Sequence, residues 1–466
     1  MKIPETPPDY LKILSQMQKE EQLSLFQNME PTDQEGRYLH WSKLKYLEPP
    51  KDFTNETWWV SLKLARKAMQ KELPLLDKQD KPFSYCVTNK MEEELHWLDL
   101  NTAGSIGTDE QALEHLHDQG TKTTYLVRSL VEEAISSSQL EGATTTRNVA
   151  KEMLREQRNA KDHSEQMILN NYQAMLFIKE FCNEKLTPEI IFRLHEMLTQ
   201  KTLDDSEKAG QFRNIDDDIS VVEARTQELL HTPPNASQLP ERLRVLCDFA
   251  NAKSESHQLD KNHQLDKSSS KKKFLHPVIR AIVLHFMLAY DHPFVDGNGR
   301  TARALFYWSM ASQNYWLMEF ISISKIIKKA PAQYGKAYLH TETDSSDVTY
   351  FIIQQLEVIR QAIDEIHHYL IKKQHEIENA EELLSNNRKL KGKLNYRQLG
   401  ILKHALKHPG FTYKISQHQN SHGITYETAR TDLLMMADKL KLLLKVKEGR
   451  KFVFIAPSDL ELRIKG

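Results

Sequence analysis

The chain has 466 residues, 39% of them hydrophobic and 27% charged, with a formal net charge of −1. That length fits roughly two to four domains of ordinary size, and the near-neutral balance leaves any preference for nucleic acid to a local patch. Mean hydropathy is −0.59, and no apolar run reaches the roughly 18 residues of a membrane span, so no membrane partner is expected.

The opening stretch, MKIPETPPDYLKILSQ, lacks the apolar core of a signal peptide. This argues against ordinary secretion, though not against export by a specialised machine. Cys86, Cys182 and Cys247 are odd in number, far apart and without zinc spacing, which fits a reducing compartment. A cytoplasmic, bacterial setting is the expectation.

Proline and glycine are sparse and the apolar periodicities are long, so the chain reads as mainly α. Residues 1–35 are polar and expected to be partly loose. Pro49-Pro50 then punctuates the chain, and Thr54 or Asn55 is placed to cap a helix carrying Trp58 and Trp59, aromatics that serve packing. A helix over 121–142 stops at Gly142, and the threonines at 144–146 can cap the next one. TPEIIFRLHEML (187–198) has Thr as N-cap and Pro at the first helical position. Two short β-branched or apolar runs within 210–231 predict a β-hairpin. HQLDKNHQLDK and the Ser/Lys run after it (253–273) read as a solvated insertion. Residues 347–385 predict one long helix or two.

From 387 the composition shifts. Across 387–455 there are 15 Lys/Arg against 4 Asp/Glu, an asymmetry of the kind that suits an anionic partner. The order there is helix (395–407), a turn at Pro409-Gly410, a short element, helix (426–440) and two strands, a winged-helix order. Its recognition helix would lie in GITYETARTDLLMM, capped by Thr425 with Arg430 exposed. The basic excess suits DNA phosphates; docking, or forming a homodimer, is the other use of such a domain.

Residues 291–303 read DHPFVDGNGRTAR, poor helix and poor strand. The apolar helix before it must end at the His292-Pro293 bond, because proline bars the preceding residue from the helical region. A second helix begins within Gly297-Asn298-Gly299-Arg300 or just after it. Free N–H groups and the helix dipole gather there, and the glycines let amides fold around phosphate oxygens. Arg300 and Arg303 add cations, and Asp296 supplies the one hard carboxylate that Mg²⁺ beside phosphates needs. His292 offers a base that titrates near neutrality, and Phe294 anchors the loop in the core. Each residue alone has an ordinary structural reading; together they supply base, metal carboxylate, phosphate nest and cations.

This stretch resembles the signature of the Fic family, H-x-F-x-(D/E)-G-N-G-R-x-x-R, at every defined position. The resemblance extends over about 120–375, taking in TPEIIFRLHEML and DVTYFI (347–352). It implies a Fic helical core with a β-hairpin flap that aligns a target segment, and transfer of AMP from ATP, with Mg²⁺, to a Ser, Thr or Tyr hydroxyl of a target protein. His292 would take the hydroxyl proton, and Asp296 would hold Mg²⁺ on the α- and β-phosphates. The 297–299 amides and Asn298 would cradle phosphate, and Arg300 would neutralise it. Residues 137–142, SSQLEG, resemble the family's inhibitory motif, (S/T)-x-x-x-E-(G/N), with Ser137 and Glu141 in place. Glu141 would then pair with Arg303 and occupy the γ-phosphate position. The same glutamate would orient a water in the reverse reaction, removal of AMP (deAMPylation). A DNA-binding regulator whose Fic core senses nucleotide is the alternative. The expected organisation is an N-terminal helical region (1–119), a Fic domain with its inhibitory helix (120–386) and a winged-helix domain (387–466).

Overall fold

The computed structural model describes residues 2–27, 29–102, 119–223, 226–252, 274–385, 392–448 and 451–465. The start is more ordered than its composition suggests, with helices α1 (Tyr10–Gln16) and α2 (Lys19–Gln27). Asp9 caps α1 by accepting from the Leu11 and Lys12 amides, and Glu20 and Glu21 sit in the first turn of α2, where the helix dipole favours them. A single turn, α3 (Trp41–Leu44), precedes α4 (Asn55–Met69). Thr54 caps α4 in a reciprocal box with Thr57. Trp41, Trp58 and Trp59 pack with Leu39, Leu44 and Leu62 in a small apolar cluster, the role expected of them. The antiparallel hairpin β1 (Lys71–Leu76) and β2 (Pro82–Tyr85) is not among the predicted elements. Leu73, Leu75, Phe83 and Tyr85 alternate into the main core from it.

The helical body follows with α5 (Asn89–Thr102), α6 (Gln119–Leu140), α7 (Arg147–Glu156), α8 (His163–Phe181) and α9 (Pro188–Thr199). Gly142, just past α6, has φ 96°, a left-handed backbone that suits glycine. Thr146 stands at the N-cap of α7 without a side-chain cap bond; Thr187 does cap α9, with Pro188 at its first position. The expected hairpin is present but short, β3 (Val221–Val222) pairing antiparallel with β4 (Leu229–His231). Then come α10 (Leu239–Asn251), α11 (Pro277–Asp291), α12 (Asn298–Ser312), α13 (Ile323–Lys329), α14 (Pro331–Thr343) and one uninterrupted helix, α15 (Thr349–Ser385). The predicted insertion at 253–273 lies outside the described residues.

Helix α11 is sunk in the main core, with Val278, Ile282, Val283 and Phe286 fully buried. Each such side chain is worth about 1.5–3 kcal/mol relative to exposure. Helix α12 packs along it with Ala302, Leu305 and Phe306. This antiparallel pair fixes the two ends of the 292–297 loop, so its position is set by the best-packed part of the molecule.

A separate apolar cluster forms beyond residue 392, from α16 (Tyr396–Lys407), β5 (Thr412–Lys414), α17 (Ile415–His422), α18 (Tyr426–Leu434), β6 (Leu444–Glu448), β7 (Lys451–Ile455) and α19 (Leu460–Lys465). The strands form an antiparallel sheet in the order β5-β7-β6. The predicted short element is thus a strand plus a helix. Helix α17 packs against α6 and α7: the Gln417 side-chain amide donates to Glu156 at 3.1 Å, and that of Asn420 to the Arg155 carbonyl. Among the described residues no helix is long and apolar enough to cross a membrane.

Candidate active site

Helix α11 ends at Asp291, and His292 takes a left-handed backbone, φ 46°, with its amide donating to the Leu288 carbonyl at 3.0 Å. For a non-glycine residue that backbone costs roughly 1–2 kcal/mol, borne here by the packed helices on either side. The His292 Nδ1 lies 3.1 Å from the Ala289 carbonyl. A carbonyl can only accept, so Nδ1 carries the proton and Nε2 keeps a lone pair. Burial drives the imidazole pKa down to about 4, against opposing pulls from the Ala289 carbonyl and Glu141. His292 is therefore neutral near pH 7, the state a general base requires.

Phe294 is fully buried, anchoring the loop as expected. Asn298 has a structural role beside its expected one. Its Oδ1 accepts from the Phe294 amide at 3.0 Å and its Nδ2 donates to the Phe294 carbonyl at 2.8 Å. A primary amide matches the N–H and C=O of a peptide edge, so this side chain closes the loop on itself. The second Nδ2–H and the backbone amide remain for a phosphate. Gly297 caps α12 at φ 80°, and a Cβ there would lie 2.8 Å from Thr199 Cγ2. Both the dihedral and the close approach demand glycine.

The Asp296 carboxylate accepts from Arg300 at 3.0 Å while 54% of its side chain stays exposed. Arg300 is buried and donates to the Leu198 carbonyl at 2.9 Å; burial lowers its pKa, with Asp296 and Glu141 acting the other way. Its Nε has no hydrogen-bond partner among the described residues. No group of three or more His, Cys, Asp and Glu that could cage a metal occurs among those residues. Mg²⁺ asks for something else, one or two carboxylates with water and phosphate completing the shell. An exposed Asp296 carboxylate beside a helix N-terminus fits that requirement.

Helix α6 brings Ser137 and Glu141 to the same place. Arg303, buried, donates from Nε to Ser137 Oγ at 2.9 Å, and from Nη2 to the Ser137 carbonyl at 3.1 Å and to Glu141 Oε1 at 2.8 Å. The Glu141 carboxylate lies directly over the first turn of α12: a Cβ on Gly299 would sit 2.2 Å from its Oε1. A carboxylate in that position faces the positive end of the helix dipole. Glu133, about two turns before Glu141, seats α6. It accepts from Tyr307 Oη at 2.9 Å, Ser322 Oγ at 2.8 Å and the Ser324 amide at 3.1 Å.

Two residues not singled out in the sequence also hold the loop. Arg213 donates from its backbone to the Pro293 carbonyl at 2.8 Å and from Nε to the His292 carbonyl at 2.7 Å. His195 lies 2.8 Å from the Asp296 carbonyl. The only signal for either was a histidine inside an otherwise apolar helix face and an arginine ahead of the hairpin. In the acidic run before β3, Asp217 is structural: it pairs with Lys208 at 3.0 Å and accepts from the Asn214 amide.

Residues 185–310 match the model of the Fic/DOC family. "Protein adenylyltransferase Fic" of Drosophila willistoni is 27% identical over 218 residues, 45% of this chain and 37% of that protein. The protein of the same name from Nematostella vectensis is 35% identical over 75 residues, 16% of this chain and 14% of its own length. The alignments thus span well under half of these relatives. Among solved structures, a Fic family protein from Desulfovibrio desulfuricans G20 superposes at TM-score 0.45 with 15% identity, over 78% of this chain and 94% of that one.

Proposed function

We propose, from the match of residues 185–310 to the Fic/DOC family model and the geometry of the 292–303 loop, that this chain is a Fic protein that transfers AMP from ATP to a hydroxyl of a target protein, restrained by its own Glu141. The observation that carries this reading is the contact of Arg303 with Glu141 and Ser137 at the N-terminus of α12. A carboxylate and an arginine are paired where an anion would otherwise be held.

In the proposed reaction His292 Nε2 accepts the proton of the target hydroxyl, whose oxygen attacks the α-phosphorus; the bond to the bridging oxygen breaks and pyrophosphate leaves. The Ala289 carbonyl orients the ring for this. The N-terminus of α12 and Arg300 stabilise charge on the phosphates, so the protein's contribution is positioning plus electrostatics. Asp296 would hold Mg²⁺, which offsets phosphate charge when bound. The β3–β4 hairpin is read as the flap for the target segment. With Glu141 over the first turn of α12, ATP would meet a fixed negative charge at its outermost phosphate and settle unproductively. In the opposite direction Glu141 would orient a water to release AMP from a modified target, with His292 protonating the departing hydroxyl.

The test is incubation with labelled ATP and Mg²⁺ of the wild type, Glu141→Gly and His292→Ala. More self-labelling in Glu141→Gly and none in His292→Ala is the expected result; equal labelling in all three overturns the reading.

The C-terminal unit, read as a winged helix, supports a second activity, DNA binding. Thr425 does cap α18, and Arg430 is exposed, but Arg430 is paired with Glu427 at 2.6 Å. Phosphate contact would have to compete with that pair. A salt-dependent shift of duplex DNA, lost on deleting 387–466, would establish it; no shift at low salt would exclude it.

A further inference from the structure

The loop's metal carboxylate and its first nest amide are joined by one peptide unit, Asp296–Gly297, and that unit has a partner on another helix. His195, on α9, is fully buried. Its Nδ1 lies 3.0 Å from the Gly210 amide nitrogen, which can only donate, so Nδ1 is unprotonated. The proton is therefore on Nε2, 2.8 Å from the Asp296 carbonyl. The tautomer is set by one bond and used by the other. The ring also stacks on Phe294, centroids 3.8 Å apart and planes 8° from parallel. A Cβ on Gly297 would approach its Nε2 to 3.3 Å.

We propose that His195 is a positioning residue for the nucleotide site, fixing the orientation of the Asp296–Gly297 peptide. In a trans peptide the C=O and N–H point in opposite directions. Holding the Asp296 carbonyl against α9 therefore turns the Gly297 N–H away from α9. Glycine on one side of this peptide makes rotation of the unit inexpensive; without the imidazole, the carbonyl loses its partner and the plane is free to turn. A turned plane would exchange a donor for an acceptor at the helix N-terminus and displace the Asp296 carboxylate.

His195 also couples the site to the segment leading into the hairpin. Gly210 is bonded to its ring, and three residues on, Arg213 is bonded to the His292 and Pro293 carbonyls. The loop and that segment are thus tied at both ends.

This inference rests on the nucleotide-binding reading above. The test uses the full chain carrying Glu141→Gly, with Mg-ATP binding measured by calorimetry in a His292→Ala background and self-labelling kinetics measured beside it. His195→Phe keeps the ring stack and removes both hydrogen bonds. His195→Gln can donate to the Asp296 carbonyl and accept from Gly210. The Phe variant should bind Mg-ATP roughly tenfold more weakly, the equivalent of one buried hydrogen bond, with KM for ATP and the Mg²⁺ requirement raised; Gln should recover most of this. If Phe does not fold, His195→Asn, too short to span both partners, takes its place with the same expectation. Binding unchanged in Phe or Asn, or Gln as impaired as either, overturns the inference alone. Absence of Mg-ATP binding in Glu141→Gly itself overturns the nucleotide reading and this inference with it. Binding without labelling removes only the transferase reading.

Discussion

Alanine at position 299 would place a methyl carbon 2.2 Å from Glu141 Oε1, 3.0 Å from its Cδ and 3.1 Å from Arg303 Nη1. Ordinary contact begins near 3.4 Å, so the carboxylate must retreat by more than an ångström. A retreat of that size would weaken its 2.8 Å bond to Arg303. A hydrogen bond to a charged group is worth about 1.5–3 kcal/mol. Glu141 keeps 28% of its side chain exposed, which argues for the lower end, about 1.5 kcal/mol and hence roughly tenfold in the released population. The same methyl would also stand at the proposed phosphate site, so a single variant is ambiguous. A double-mutant cycle resolves it. Initial self-labelling rates would be compared for wild type, Gly299→Ala, Glu141→Gly and the double variant. In the Glu141→Gly background the methyl can only hinder; in the wild-type background it also releases. The ratio of the two effects should be roughly tenfold in favour of release. Strictly additive effects would show that Glu141 does not restrain the site through this contact.

The depressed pKa of His292 predicts that labelling by Glu141→Gly holds level from neutrality downwards and falls as pH drops through about 4, where the base becomes protonated; a fall centred on the ordinary histidine value, measured in matched buffers, would refute the assigned environment. His285, fully buried and bonded to Tyr334 at 2.9 Å, is pushed by burial to about 3. Its neutral form gives stability that is fully present above the ordinary value of 6.5 and is lost as pH falls from there towards 3. The Tm of His285→Phe should therefore fall less than that of the wild type between neutral and acidic pH. Gly297→Ala combines φ 80° with a 2.8 Å approach to Thr199 Cγ2. It should destabilise by about 2–4 kcal/mol, read by denaturant unfolding. Thr199→Ser, which removes that methyl, should restore part of the loss and none of the backbone strain.

The loop was legible because its chemistry is contiguous. His292, Asp296, Gly297, Arg300 and Arg303 lie within a dozen positions, and one helix end explains why they belong together. Ser137 and Glu141 were legible only as a pattern that implied a Glu141–Arg303 pair; the structure has that pair at 2.8 Å and adds the Ser137 bond to Arg303. His195 and Arg213 were not legible. Each acts on a backbone carbonyl some 80–100 residues away, and a carbonyl leaves no mark in a sequence. Asn298 shows the converse: a side chain in the right motif that also holds the Phe294 backbone. The β1–β2 hairpin was hidden because its prolines, Pro74 and Pro82, read as breakers. Its register is irregular between Glu72 and Leu76, which accommodates the first. The second stands at the first residue of its strand, where proline is tolerated.

The paired bonds between Asn298 and the Phe294 backbone make residues 294–298 a closed ring, held without help from anything bound there. With His195 holding the Asp296–Gly297 peptide, the loop's backbone is set by bonds within the protein. An incoming polyphosphate would thus surrender its own water but would not have to freeze a wandering loop, and little of its binding energy would be diverted to ordering protein. On the proposed reading such a preorganised site would need its restraint from outside the ring, and Glu141, just past the end of α6, is placed to supply it.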